Sequence, residues 1–141
     1  MGTTTRPRAS LATARDAIVV LSTAPDTATG ERIARALVEA RLAACVNVVP
    51  GLVSIYRWKG SVSRDPEVLC VIKTRRTLLS RMAARLREVH PHEVPEILAI
   101  AVQAGARPYL EWLLAETRPE SRKKAPAGRS RSVPKQREKK R

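Results

Sequence analysis

The stretch Cys45-Val-Asn-Val-Val-Pro-Gly-Leu-Val-Ser-Ile-Tyr-Arg-Trp-Lys-Gly60, continued by Ser61 to Thr74, decides the fold. Its Val, Ile, Leu and aromatic residues read as strand on both arms. Pro50-Gly51 interrupts the first arm, and Pro inside a strand pattern requires an edge position or a bulge. Lys59-Gly60 is turn chemistry, so residues 61–74 return antiparallel, with Val68-Leu-Cys-Val-Ile72 as their apolar centre. The hairpin is longer than one small domain needs. Its overhang leaves open strand edges, and pairing with another subunit is one way to cover them.

Upstream, Ala17-Ile-Val-Val-Leu21 is a short buried-strand signal, broken by Ser22-Thr-Ala-Pro-Asp26. Asp26 or Thr27 caps a following helix, in which Ile33, Ala34, Leu37, Val38 and Leu42 make one apolar stripe. Gly30 weakens its first turn. Downstream, Thr77 caps a second helix striped by Leu78, Leu79, Met82, Ala83, Leu86 and Val89, which His90-Pro91 stops. Glu96 to Val102 reads as a fourth strand and Gly105 as a turn. Pro108 opens a short helix through Leu114. The order β-α-β-β-α-β plus a terminal helix predicts an α+β, ferredoxin-like antiparallel sheet built from two split βαβ units.

Charge divides the chain more sharply than length does. The net charge is +14 over 141 residues. Residues 118–141 carry 11 basic and two acidic side chains, whereas residues 17–117 are nearly balanced. The expected organisation is a disordered leader (1–16), one domain (17–117) and a disordered basic tail (118–141), because the tail has too little apolar surface to offset ordering. A whole-domain nucleic-acid reading from pI alone is therefore excluded. There is no signal-peptide run and no stretch near the roughly 18 apolar residues of a membrane span, so a cytoplasmic protein without membrane insertion is expected. Cys45 and Cys70 lack metal-knuckle spacing and read as free thiols of a reducing compartment.

Leu42-Ala-Ala-Cys-Val-Asn-Val-Val-Pro-Gly51, Ser54-Ile-Tyr-Arg-Trp-Lys-Gly60, Val71-Ile-Lys-Thr74 and His90-Pro-His-Glu-Val-Pro-Glu96 resemble the CutA divalent-cation tolerance family. Tyr109-Leu-Glu-Trp-Leu113 extends the resemblance to the last helix, and the pieces together cover nearly all of residues 17–115. The resemblance implies a ferredoxin-like subunit in a tight homotrimer, with hairpins pairing across subunits. It also implies a response to metal ions, copper among them. The trimeric plan is shared with nitrogen-regulatory signal proteins, so it admits a signalling role as well. This chain departs from the family pattern at three positions. Some members carry Cys where Ser22 stands and His where Val89 stands, while His92 replaces the usual Tyr.

The candidate metal donors are His90, His92, Glu93 and Glu96, with either Cys45 or a neighbouring subunit of a trimer needed to complete the shell; imidazole and carboxylate suit divalent copper, zinc or nickel. Copper or another divalent cation is thus the expected cofactor, none of it obligatory. The competing reading makes His90 a helix-terminal residue favoured by the dipole and Glu93 an ion-pair partner. Cys45 and Cys70 could bind Cu(I), or simply pack within strands. Tyr56, Trp58, Lys59 and Lys73 could line a ligand cleft between subunits, or serve as interface packing and a solvated lysine. Arg122, Lys123, Lys124, Arg129, Arg131, Lys139, Lys140 and Arg141 would hold nucleic acid or another anionic surface weakly, without sequence specificity, or would only solubilise. No nucleophile–base pair, phosphate loop or HExxH is present, so the expected protein is not an enzyme. The sheet lacks the stacking aromatics of an RNA platform.

Overall fold

The computed structural model describes residues 10–118. The elements are β1 (Leu11–Thr13), β2 (Ala17–Ala24), α1 (Thr27–Glu39), β3 (Cys45–Trp58), β4 (Ser61–Arg75), α2 (Leu79–Val89), β5 (Leu98–Ala101), β6 (Ala104–Ala106) and α3 (Arg107–Glu116). Four strands form one antiparallel sheet in the order β3-β4-β2-β5. From β2 to β5 this is the ferredoxin-like arrangement.

The hairpin follows from its turn chemistry. Trp58 pairs with Ser61 around a two-residue turn in which Lys59 and Gly60 both have positive φ, at 48° and 81°. That geometry matches the twist of the flanking strands. The register shifts between Val49 and Leu52, so Pro50-Gly51 is a bulge, with Gly51 at φ 86°. Pro50 has no N–H to donate, and its place at the bulge removes the need for one.

Helices α1 and α2 lie on one face of the sheet. Ile18, Val20, Ile33, Leu37, Ile72, Met82 and Leu86 are buried between the layers. Asp26 caps α1, its Oδ1 accepting from the Thr29 N–H at 2.7 Å. The bond stabilises the ionised carboxylate and lowers the Asp26 pKa. At the other end Leu42 N–H donates to Leu37 O and Arg41 N–H to Val38 O, a Schellman closure with Arg41 at φ 56°. Gly30 is more than a weak helix residue. A Cβ there would stand 2.9 Å from Val68 Cγ2 and 3.0 Å from Val48 Cγ1, so its bareness lets α1 rest directly on the hairpin.

Three local expectations change. Leu11–Thr13, read as part of the loose leader, pairs with Ala104–Ala106 in a second, two-stranded sheet. Gly105 therefore sits within β6 and not in a turn, where its missing Cβ leaves room for Leu110. Thr77 does not cap α2: the chain enters through a 3-10 turn, Arg76–Leu78, closed by Leu79 N–H to Arg76 O. The backbone supplies the bond that a capping hydroxyl would have made.

Candidate functional site

Directly paired residues of an antiparallel sheet share a face. Away from the helices, one face gathers Val19 and Leu21 of β2, Leu69, Val71 and Lys73 of β4, Val49 of β3, and Leu98 and Ile100 of β5. Among the described residues, only its far end is covered. There α3 packs Leu110 and Leu113 against Ala14, Ala17 and Ala44, whose small side chains permit the close approach. Among the described residues, both outer edges, β3 and β5, lack a further strand neighbour.

The tract from His90 to Glu96 links α2 to β5. His90 is buried, with Nε2 2.7 Å from Thr23 O and Nδ1 3.0 Å from His92 N. The His92 amide can only donate, so Nδ1 is the acceptor and the ring proton sits on Nε2, facing the Thr23 carbonyl. Both nitrogens are thereby engaged. His90 fixes the tract's departure from α2, and coordinating a metal would cost it one of these bonds. His92, Glu93 and Glu96 are exposed, and the His92 ring lies 5.0 Å from that of His90.

Cys45 does not complete this cluster within one subunit. It lies level with Val19, four residues along the sheet from Thr23 and two strands across. Ordinary strand spacing puts that at roughly 16 Å. Among the described residues, no three His, Cys, Asp or Glu side chains converge as a metal site. Cys70 is fully buried on the helix side, where desolvation raises its thiol pKa. Its cross-strand partner is Ser22, whose buried Oγ has no hydrogen-bond partner among the described residues.

The aromatic and lysine candidates separate in the same way. Tyr56, Trp58 and Lys59 occupy the hairpin tip, where Tyr56 Oη donates to the Asp65 carboxylate and its pKa is raised by that bond. Lys73 is ten residues farther along β4 than Ser63, the partner of Tyr56. That is roughly 33 Å of strand. A cleft using all four residues needs more than one subunit.

Lys73 instead stands over the Tyr109 ring, 5.7 Å from its centroid, and Tyr109 lies 5.5 Å from Trp112. Trp112 also lines a groove with Val38, Glu39, Ala43 and the Arg41–Glu116 ion pair at 3.6 Å. The i, i+3 spacing of Tyr109 and Trp112 was the available sequence signal for this face of α3. The tail candidates Arg122, Lys123, Lys124, Arg129, Arg131, Lys139, Lys140 and Arg141 lie outside the described residues.

The family model described as CutA1 divalent ion tolerance protein matches residues 18–116. The chain belongs to that family. It is 50% identical over 99 residues to the divalent-cation tolerance protein CutA of Thermus thermophilus, a match spanning 70% of this chain and 96% of that protein. A CutA of Arabidopsis thaliana named as chloroplastic is 44% identical over 101 residues, 72% of this chain but 56% of that longer protein. The solved structure of the divalent cation tolerance protein from Thermus thermophilus superposes with a TM-score of 0.70 at 48% identity. That match covers 72% of this chain and 98% of the other. The family assignment agrees with the resemblance read from the hairpin and the His90–Glu96 tract. Among the described residues, no helix is long and apolar enough to cross a membrane.

Proposed function

We propose that this CutA-family chain acts as a homotrimer that binds copper or another divalent cation and contributes to metal tolerance by capture, without catalysis, in the cytoplasm. The observation that carries the reading is the dispersal of donors within one subunit. His92 and Glu96 project outward beside a β5 edge that lacks a strand neighbour among the described residues, while Cys45 and Lys73 face the uncovered side of the sheet. Assembly through that face and through the protruding hairpins would bring donors of neighbouring subunits to common boundaries. His90 then acts as the fixed post that holds His92 in place, and His92 with Glu96 are the first donors to test.

The deciding experiment is a calorimetric titration of the chelator-stripped chain with Cu(II) and with Zn(II), alongside His92→Ala and Glu96→Ala. Saturable binding, weakened at least tenfold by either substitution, supports capture at this tract. Heat no greater than nonspecific background removes the metal from the mechanism. A second reading, a signalling trimer with a small-ligand cleft, draws on Lys73 held over Tyr109 on the uncovered side. It requires a ligand that stays bound after chelation and is lost in Lys73→Ala. Fractionation of cells tests the compartment.

A further inference from the structure

Two helices of this domain end on a glutamate, and both ends meet at one groove. Glu39 is the last residue of α1 and Glu116 the last of α3, and both line it. A carboxylate there faces the negative end of the helix dipole, a place that favours a cation. Neither helix carries a basic residue in its last turn. The end of α3 is answered in part by Arg75, whose Nη2 donates to Leu114 O at 2.6 Å. The end of α1 is not answered. Among the described residues, Glu39 is exposed and has no cation within ion-pair distance. Arg41 reaches Glu116 instead, at 3.6 Å, and both side chains stay half exposed, so the pair is loose.

The groove has a volume of about 410 Å³, within the range of roughly 300–1,000 Å³ usual for small-ligand sites. Buried Ala43 lies against it, and Val38 and Trp112 line it with side chains 41% and 43% exposed. On its other side Trp112 meets Tyr109, ring centroids 5.5 Å apart. Tyr109 already holds an ammonium group, that of Lys73, 5.7 Å from its centroid. Indole attracts cations more strongly than phenol, yet among the described residues no cation stands over Trp112. The groove adjoins the start of β3, the opposite end of that strand from the hairpin tip. It shares no lining residue with His92, Glu96 or Cys45, so it does not depend on metal capture.

We propose that this groove binds a linear aliphatic polyamine. Its ammonium groups pair with Glu39 and Glu116 and meet the Trp112 ring, while the methylenes between them cover Val38 and Ala43. Two carboxylates alone would hold only counterions; the aromatic and apolar lining selects a cation with a carbon chain. A bare metal ion fits less well. Among the described residues no three His, Cys, Asp or Glu side chains converge, and indole offers a donor but no ligand atom. Arg41 tunes the site. Its φ of 56° lies in the left-handed region that favours glycine, and its guanidinium competes with the ligand for Glu116. The net charge of +14 repels polycations from the chain as a whole, so saturable uptake of one requires a local site.

The test is calorimetric titration of the chelator-stripped full chain with spermidine, at about 0.1 M salt so that distant charges are screened. Three variants accompany it: Glu39→Gln, Trp112→Leu and Arg41→Gly. The parent should bind saturably at one site per subunit. Glu39→Gln should weaken binding about fivefold and Trp112→Leu about tenfold, the loss of one carboxylate and of the ring. Arg41→Gly should tighten it by about threefold, since Glu116 is freed and glycine suits that backbone. Glu39 is exposed, so Glu39→Gln keeps the fold and decides the question even where Trp112→Leu does not fold. Absence of saturable uptake by the parent overturns the proposal, as does Glu39→Gln or folded Trp112→Leu binding within about twofold of it. Weaker binding by Arg41→Gly does the same. So does displacement of spermidine by Mg(II) at equal concentration, which would assign the groove to bare charge.

Discussion

On the helix side of the sheet, Val20 and Ile72 have no solvent exposure, whereas on the other side Leu98 and Ile100 are 56% and 50% exposed. Both pairs belong to the same sheet, and Ile100 is paired across to Val19, the neighbour of Val20. Composition alone would not separate them. The difference teaches that apolar content in this sheet is not all spent on the subunit's own core: one face holds the subunit together, and the other carries apolar side chains that the described residues leave exposed. A covered isoleucine is a stability residue; under the proposed trimer, an uncovered one is an assembly residue.

The largest expected effect separates these roles. Ile72→Ala should lower unfolding free energy by about 3 kcal/mol, from lost transfer energy and the cavity left behind. That loss should be read as a shifted denaturation midpoint with an unchanged slope. Ile100→Asp should leave the subunit folded but dissociate the assembly, seen by sedimentation velocity. An Ile100→Asp protein that still sediments like the parent would mean the uncovered face is not the interface.

Gly30 sharpens the covered side. Alanine favours helix over glycine by about 1 kcal/mol, yet the added Cβ would meet two β-branched side chains at 2.9 and 3.0 Å. Val48 and Val68 have few rotamers to escape into. Overpacking of this kind costs about 1–3 kcal/mol, so Gly30→Ala should be net destabilising by ~1 kcal/mol in chemical denaturation. A stabilised variant would show that α1 can lift off the hairpin freely.

Much of this frame was legible before any coordinates. Pro50-Gly51 and Lys59-Gly60 announce a bulge and a tight turn because few other residue pairs satisfy those backbone angles. Asp26 was legible as a cap for the same local reason. What escaped the sequence depends on distant partners. Leu11-Ala-Thr13 is too short to show alternation, and it becomes a strand only because Ala104–Ala106 lies beside it. His90 had the look of a ligand, but its Nε2 is held by a carbonyl 67 positions away in sequence. Cys45 and Cys70 read alike as strand residues, and only the register tells which one faces the helices.

Ser22 is a polar intrusion on the covered face, directly across from Cys70, and among the described residues its hydroxyl finds no partner. A buried hydroxyl without a hydrogen bond is costly, and an apolar replacement of similar shape removes that cost. Ser22→Ala should stabilise the subunit by ~1 kcal/mol, raising Tm by about 4 °C. The same exchange on the uncovered side, Thr23→Ala, should have a smaller effect, because Thr23 is only half-buried. A lower Tm for Ser22→Ala would mean that the hydroxyl has found a partner such as a bound water.

The smallest expected effect lies at the start of α1, the helix that covers the inner face. The Asp26 carboxylate accepts from Thr29 N–H, so its pKa in the folded chain lies below the ordinary carboxylate value. A group whose folded pKa is depressed contributes stability fully above its unfolded pKa, and loses it as pH falls through the folded one. Stability measured from neutral pH downward should therefore decline on the acid side, and Asp26→Asn should decline less steeply there. Asn still caps, so the two proteins should converge as the carboxylate of the parent is protonated. Equal acid slopes would place the Asp26 charge in solvent and leave the α1 cap to its neutral geometry. Ile100→Asp, on the other face, should instead make the acid limb depend on protein concentration, since protonating an interfacial carboxylate favours reassembly.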